Sequence, residues 1–266
     1  MMTLQGQVGS AMALCWFLAS PSLADITNVN IDGGVSGIED IECDFYCPDS
    51  PATFSNSQSQ LGYGPYTFSG SGSQTVDLPM GGSLQATGTA QQTADTTASG
   101  FSIDLMSYVS YDGSPPGGFG SSYVSNSFTL AFHLTQTSIL DLNGSLNGTC
   151  FDAFGPTSCS NFGQQSAESI DLSGSGFDFN QQADLLMNDP VNFSAILNPG
   201  DYALEASSTA AVAKVASYAP FEISLDANFT AAIPEPSGTM MVPVLFFAVW
   251  RCRARRRQRK DLSKAA

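Results

Sequence analysis

Residues 124–134 read VSNSFTLAFHL. Val124, Phe128, Leu130, Phe132 and Leu134 fall on one face of an extended chain, and Thr129, Ala131 and His133 on the other. Successive side chains leave a strand on opposite sides, so this period of two marks a half-buried β-strand. The alternation returns at Val191, Phe193, Ala195 and Leu197, at Tyr202, Leu204 and Ala206, and at Phe221, Ile223, Leu225, Ala227 and Phe229. Shorter candidates are 26–31, 75–78, 83–89, 101–111, 138–142 and 169–172. Turn chemistry separates them at Asp112-Gly113, Asn143-Gly144, Asn147-Gly148 and Asn198-Pro199-Gly200. In the last, Pro199 presets one central position and Gly200 supplies positive φ, so 197–204 reads as a tight hairpin. About ten short strands at this spacing cannot bury their aromatic faces as lone hairpins, whereas two packed sheets can. The expected fold is all-β, an antiparallel β-sandwich of jelly-roll-like type.

Three stretches stand apart. Residues 32–72 are acidic around 39–49 and then rich in Ser, Gln, Gly and Pro, which reads as a loop followed by flexible or edge structure. Residues 90–100 (AQQTADTTASG) and 112–122 (DGSPPGGFGSS) read as long exposed loops. Segment 209–217 reads as a hairpin arm.

The two ends of the chain carry different signals. Residues 11–19, AMALCWFLA, are apolar and are followed by Ser22-Leu23-Ala24, small residues that fit cleavage of a signal peptide (1–24) after Ala24. At the other end, 233–260 read IPEPSGTMMVPVLFFAVWRCRARRRQRK. Residues 237–250 are uncharged, and fourteen residues make a helix only about 21 Å long against a hydrocarbon core of about 30 Å. This is a short transmembrane helix, and the basic end at 251–266 stays cytoplasmic. Everything N-terminal to the span is then outside. Residues 25–232 form one exported domain, whose 25–72 start is acidic and loop-rich.

Pro234, Glu235 and Pro236, the apolar run, and the cluster Arg251, Arg253, Arg255, Arg256 and Arg257 occur in that order. Together they resemble the PEP-CTERM sorting signal of Gram-negative bacteria. The resemblance covers about 28 residues, with Ile233 where Val is commoner, Pro243 inside the span, and a tail running to Ala266. It implies handling by an exosortase-type enzyme at the inner membrane, cleavage near the triplet, and release to the cell surface or an exopolysaccharide matrix.

Charge divides sharply along the chain. Eight of the nine basic residues lie from Arg251 onward, which leaves Lys214 against 22 acidic residues in 25–232, a net of about −21. Such a body repels nucleic acid and anionic lipid. Removing Cys15 and Cys252 leaves Cys43, Cys47, Cys150 and Cys159, an even number suited to disulfides in an exported protein. Three connectivities are open, of which the local one (Cys43–Cys47, Cys150–Cys159) is the most economical. The spacing lacks a zinc knuckle.

Candidate chemistry is sparse. His133 is the only histidine, and no GxSxG, HExxH or P-loop is present. Glu168, Glu205 and Glu222 are nominal glycosidase carboxylates. Glu39, Asp40, Glu42, Asp44 and Asp49 crowd five carboxylates into eleven residues, a weak calcium candidate against the simpler solvated loop. Tyr63, Tyr66 and Phe119 are candidate sugar-stacking aromatics. The expectation is a structural or adhesive surface protein without catalysis or cofactor. The alternatives are a carbohydrate-binding module, with or without calcium, and an extracellular glycan-active enzyme.

Overall fold

The structure is a computed structural model that describes residues 26–43, 51–77, 82–114, 118–152, 155–157, 167–183, 188–213 and 217–232. The signal peptide and sorting tail lie outside this set. Every described residue but Ala232 belongs to one compact unit, 1–231.

These residues form fourteen strands and no helix. The first five are β1 Ile26–Cys43, β2 Ala52–Leu61, β3 Gly64–Asp77, β4 Ser83–Thr97 and β5 Gly100–Ser114. Next come β6 Gly118–Leu134, β7 Ser138–Gly148, β8 Cys150–Asp152, β9 Gly155–Thr157 and β10 Ala167–Gly174. The last are β11 Phe177–Gln182, β12 Asn188–Leu197, β13 Gly200–Ala213 and β14 Ser217–Ala231. One sheet has six strands in the order β11-β10-β13-β6-β1-β2. The other has the path β12-β7-β14-β5-β4-β3, with β8 and β9 attached beside β14. Every pairing is antiparallel. The inner faces of both sheets share their buried side chains, as a β-sandwich requires.

Strand β6 behaves as its pattern dictates. Val124, Phe128, Leu130, Phe132 and Leu134 are buried, and His133 faces out. At one end of the core Phe132 stacks on Tyr202, 5.7 Å between centroids, and meets Phe101 and Phe229 of the opposite sheet at 5.9 and 5.5 Å. Such offset and edge contacts add to plain area burial.

Several expectations change. Residues 32–43, expected as an acidic loop, continue β1, whereas 52–61 and 64–72 lie in the edge strands β2 and β3, as the edge alternative has it. Residues 90–97 belong to β4, with only Ala98 and Ser99 as a turn, and of the expected loop 112–122, residues 112–114 lie in β5 and 118–122 in β6. The inward positions of β4 explain why its pattern is plain only at its start, 83–89. Leu84, Ala86, Gly88, Ala90, Gln92, Ala94 and Thr96 are all buried, yet most are too small or too polar to register as a hydrophobic period. Asp112-Gly113 lies inside β5, and Asn143-Gly144 and Asn147-Gly148 lie inside β7. Gly144 is required there by contact, because a Cβ would stand 2.0 Å from the Ser224 carbonyl. Finally, Asn198-Pro199-Gly200 is a turn with Gly200 at φ +149°, but it joins strands of different sheets. β12 pairs with β7, whereas β13 pairs with β10 and β6. Alternation establishes that two strands are each half-buried, not that they pair. Tight hairpins are instead β4–β5, through Ala98 and Ser99, and β10–β11, where Ser175 (φ +42°) and Gly176 (φ +79°) supply the two positive angles of a type I′ turn.

The core is two apolar clusters, one around Leu105, Leu130 and Leu225 and one around Val109, Val124 and Phe221. Between them runs a buried seam of Gly33, Gln92, Ser107, Asn126, Glu168 and Ser208. Its centre is a pair of amides. Gln92 Nε2 on β4 donates to Asn126 Oδ1 on β6 (2.5 Å) and lies 2.8 Å from the Ser127 carbonyl and 3.1 Å from that of Gly34. Asn126 Nδ2 reaches back to the Gln91 and Met106 carbonyls at 3.1 and 3.2 Å. Tyr66 Oη stands 3.3 Å from Gln92 Oε1. Gly33 makes room, since a Cβ would fall 2.0 Å from Gln92 Oε1.

Replacing Asn126 with Leu removes one acceptor of Gln92 Nε2 and the donor to the Gln91 and Met106 carbonyls, and an unsatisfied buried polar group costs about 1–3 kcal/mol. Thermal melts should show a loss of on the order of 5–10 °C. Asn192→Ala, at an exposed site on β12, should stay within about 0.5 kcal/mol. Equal melting temperatures for Asn126→Leu and Asn192→Ala would remove the seam from any role in stability.

Candidate functional site

Several sequence candidates lie outside the described residues: Ala24, Asp44, Cys47, Asp49, Cys159, Pro234, Glu235, Pro236 and the arginines from Arg251. Glu42, Cys43 and Phe119 are on strands, with side chains outside the described set. Cys150 is buried and disulfide-bonded.

The described acidic candidates do not converge. Glu39 and Asp40 are neighbours on β1, so Glu39 points into the sandwich and Asp40 away from it. Glu168 points inward from β10, while Glu205 and Glu222 are exposed on the outer faces of opposite sheets. Among the described residues, no three His, Cys, Asp or Glu side chains gather as metal ligands. The aromatics divide: Tyr66 is buried at 1% exposure, whereas Tyr63 is 48% exposed in the β2–β3 turn. Burial, and then the charge of Asp32, push the Tyr66 phenol up to about 12. His133 Nδ1 lies 2.7 Å from Asp201 Oδ1 across β6 and β13, on the outer face of the six-stranded sheet.

Two carboxyls among the described residues, Glu39 of the calcium candidates and Glu168 of the glycosidase candidates, are enclosed. Glu39 is fully buried, and Ser122 Oγ donates to its Oε2. Its Oε1 has no hydrogen-bond partner and lies over Gly88, where a Cβ would come within 2.1 Å of it. Burial pushes this carboxyl up to about 7, with the Ser122 bond opposing. Glu168 is 1% exposed and stands opposite Ser208 in the register. Neither Glu168 oxygen nor Ser208 Oγ has a well-formed hydrogen bond. Burial pushes the carboxyl up to about 8. The Glu222 main chain offsets part of this, while the Glu222 and Asp189 charges add to it. A carboxyl in such surroundings keeps its proton near neutrality. The signal that could have found these two is positional. Both fall in phase with the apolar residues of their strands, Ile170 and Leu172 for Glu168, and Val35 and Ile41 for Glu39.

The outer face of the eight-stranded sheet has a shallow depression of about 190 Å³. Asp95, Thr97, Ser102, Asp226 and Asn228 line it, with Asp95 and Asp226 flanking Ser102 in register. The hydroxyl, amide and carboxylate groups there suit contact with a polyol.

No protein-family model matches the sequence, and no curated protein aligns with it. The residues themselves carry the functional reading.

Glu39 and Glu168 reverse the usual pH dependence. An unfolded carboxyl ionises near 4.5, but these two hold their protons to about 7 and 8 when folded. Their stabilising contribution is full below about 4.5 and is lost as pH rises toward 8. The melting temperature should therefore fall by several degrees from pH 5 to pH 8 at fixed ionic strength. Glu168→Gln should flatten that slope, and an unchanged slope would mean that Glu168 ionises freely in the folded protein.

Proposed function

We propose that the chain is an exported, acidic jelly-roll protein with a structural or adhesive role at the cell surface or in an exopolysaccharide matrix. The observation that carries this reading is the ordered tail: Pro234-Glu235-Pro236, an uncharged run, then the arginine cluster, behind a body almost free of basic residues. An exosortase-type enzyme would act on that tail while it holds the chain in the inner membrane, with Arg251 to Lys260 on the cytoplasmic side. The disulfide at Cys150 supports an oxidising destination.

The strand orders support the finer fold reading. β5-β14-β7-β12 faces β6-β13-β10-β11, and from β5 to β14 the chain passes between these two paths in the nested manner of two Greek keys. β1 and β2 extend one sheet, and β4 and β3 the other. The reading assigns no catalysis, since the one histidine is paired on an open sheet face and the two perturbed carboxyls are enclosed. A carbohydrate-binding module is the second reading, favoured by the polar depression at Asp95 and Asp226. Glycan-array binding abolished by Asp226→Ala would establish it, with chelator reporting any calcium dependence.

Mass spectrometry of protein recovered from the cell surface tests the first reading. The mature chain should begin at Asp25 and lack Arg251 to Lys260. Surface protein that retains the arginine cluster would overturn the processing step, and protein confined to the cytoplasm would overturn export.

A further inference from the structure

We infer that β2 is a self-association edge, at which two copies of the chain join their six-stranded sheets. Among the described residues β2 ends its sheet and pairs only with β1, so none of the described strands lies along the other side of its backbone. Ser55 to Ser59 are exposed on both faces of the strand. Natural edge strands are normally protected by charge, proline, a bulge or shortness. The other three outer strands have such features: β3 has Pro65 and Asp77, β12 has Asp189 and Pro190, and β11 is six residues long with Asp178. β2 has none. It runs ten residues, ATFSNSQSQL, without a charge or a proline, and pairs with β1 without a register shift.

Charge favours the same edge. Residues 50–76 contain no Asp, Glu, Lys or Arg, in a body of about −21. Two such bodies repel each other over most of their surface, and this edge is where they approach at least cost. Apolar groups flank it: Leu61 is 83% exposed, Tyr63 48%, and Ile38, opposite Thr53 on β1, 48%.

The sequence of the strand suits an antiparallel copy of itself. Ser55-Asn56-Ser57-Gln58-Ser59 is nearly palindromic about Ser57. A two-fold axis at Ser57 sets Asn56 opposite Gln58 of the second copy, and Ser55 opposite Ser59. Amide meets amide on one face and hydroxyl meets hydroxyl on the other, pairs that stabilise cross-strand neighbours. The contact is closed and isologous, so it stops at a dimer. It needs no assumption about export or matrix.

Sedimentation velocity on the full chain in mild non-ionic detergent tests this. The wild type should show a concentration-dependent dimer that strengthens with added salt, because screening relieves repulsion between the acidic bodies. Ser57→Lys should weaken it at least tenfold, while Asn180→Lys on the β11 edge should leave it unchanged. Ser57→Cys should form a covalent dimer on mild oxidation and Asn180→Cys should not, which decides the matter if Ser57→Lys folds poorly. A monomeric wild type at every salt concentration, or equal cross-linking of Ser57→Cys and Asn180→Cys, would overturn the proposal.

Discussion

The side chain of Gln92 crosses from one sheet to the other, and the rest of the molecule is arranged around that crossing. A β-sandwich held by apolar contact alone leaves its sheets free to slide, because dispersion has little directional preference. Here the Gln92 amide and the Asn126 amide bind each other and three main-chain carbonyls, one each on β1, β4 and β6, besides that of Met106 on β5. Sliding one sheet past the other would part the two amides and leave buried polar groups without these partners. The arrangement costs apolar burial at the centre of the protein. It fixes the relative register of two long sheets, which the leucines on either side could not do.

The same crossing dictates the composition of its neighbourhood. Gly33 on β1 has no room for a side chain. Ser107 and Ser208 continue the seam at small volume. Phe54 of β2 fills the slot left by Gly37, Gly70 and Gly72, so the open side of the sandwich closes by one ring against three glycines rather than by matched large side chains. Glycine and serine, which lower β-propensity in isolation, are therefore frequent in these strands for a packing reason.

That composition sets the limit of what the sequence discloses. β6, β13 and β14 alternate large apolar with polar residues, and their pattern is plain. β4 alternates Ala, Gly and Gln with Thr and Gln, and its burial emerges only once β5 and β6 are beside it. β1 reads as a strand at 26–31 and as an acidic loop beyond, because Glu39, Asp40 and Glu42 dominate its C-terminal half, although Glu39 is in phase with Val35 and Ile41. The asparagine–glycine pairs of β7 carry turn chemistry, but Gly144 and Gly148 are answers to close contacts with β14. At Asn198-Pro199-Gly200 the local geometry was readable and the destination was not, since sheet membership is a long-range property that no dipeptide encodes. The candidate site was less legible still. Among the described carboxylates, the mark of the two that are enclosed is position alone, in phase with the apolar residues of their strands.

Enclosure also separates two uses of acidity in one chain. Carboxylates such as Asp40, Glu205 and Glu222 stand in water, keep the body soluble and hold copies apart by repulsion. Glu39 and Glu168 are enclosed, and burial raises the cost of ionising each of them. Repulsion of the first kind acts wherever surface charge is dense, and it fades along residues 50–76, where the chain carries none. The strand that closes the sandwich with Phe54 is thus also the place where the molecule's own field is weakest. An uncharged backbone edge there is the least costly approach for any neighbour of like charge, and the near-palindrome at Ser57 makes an identical chain the neighbour that fits.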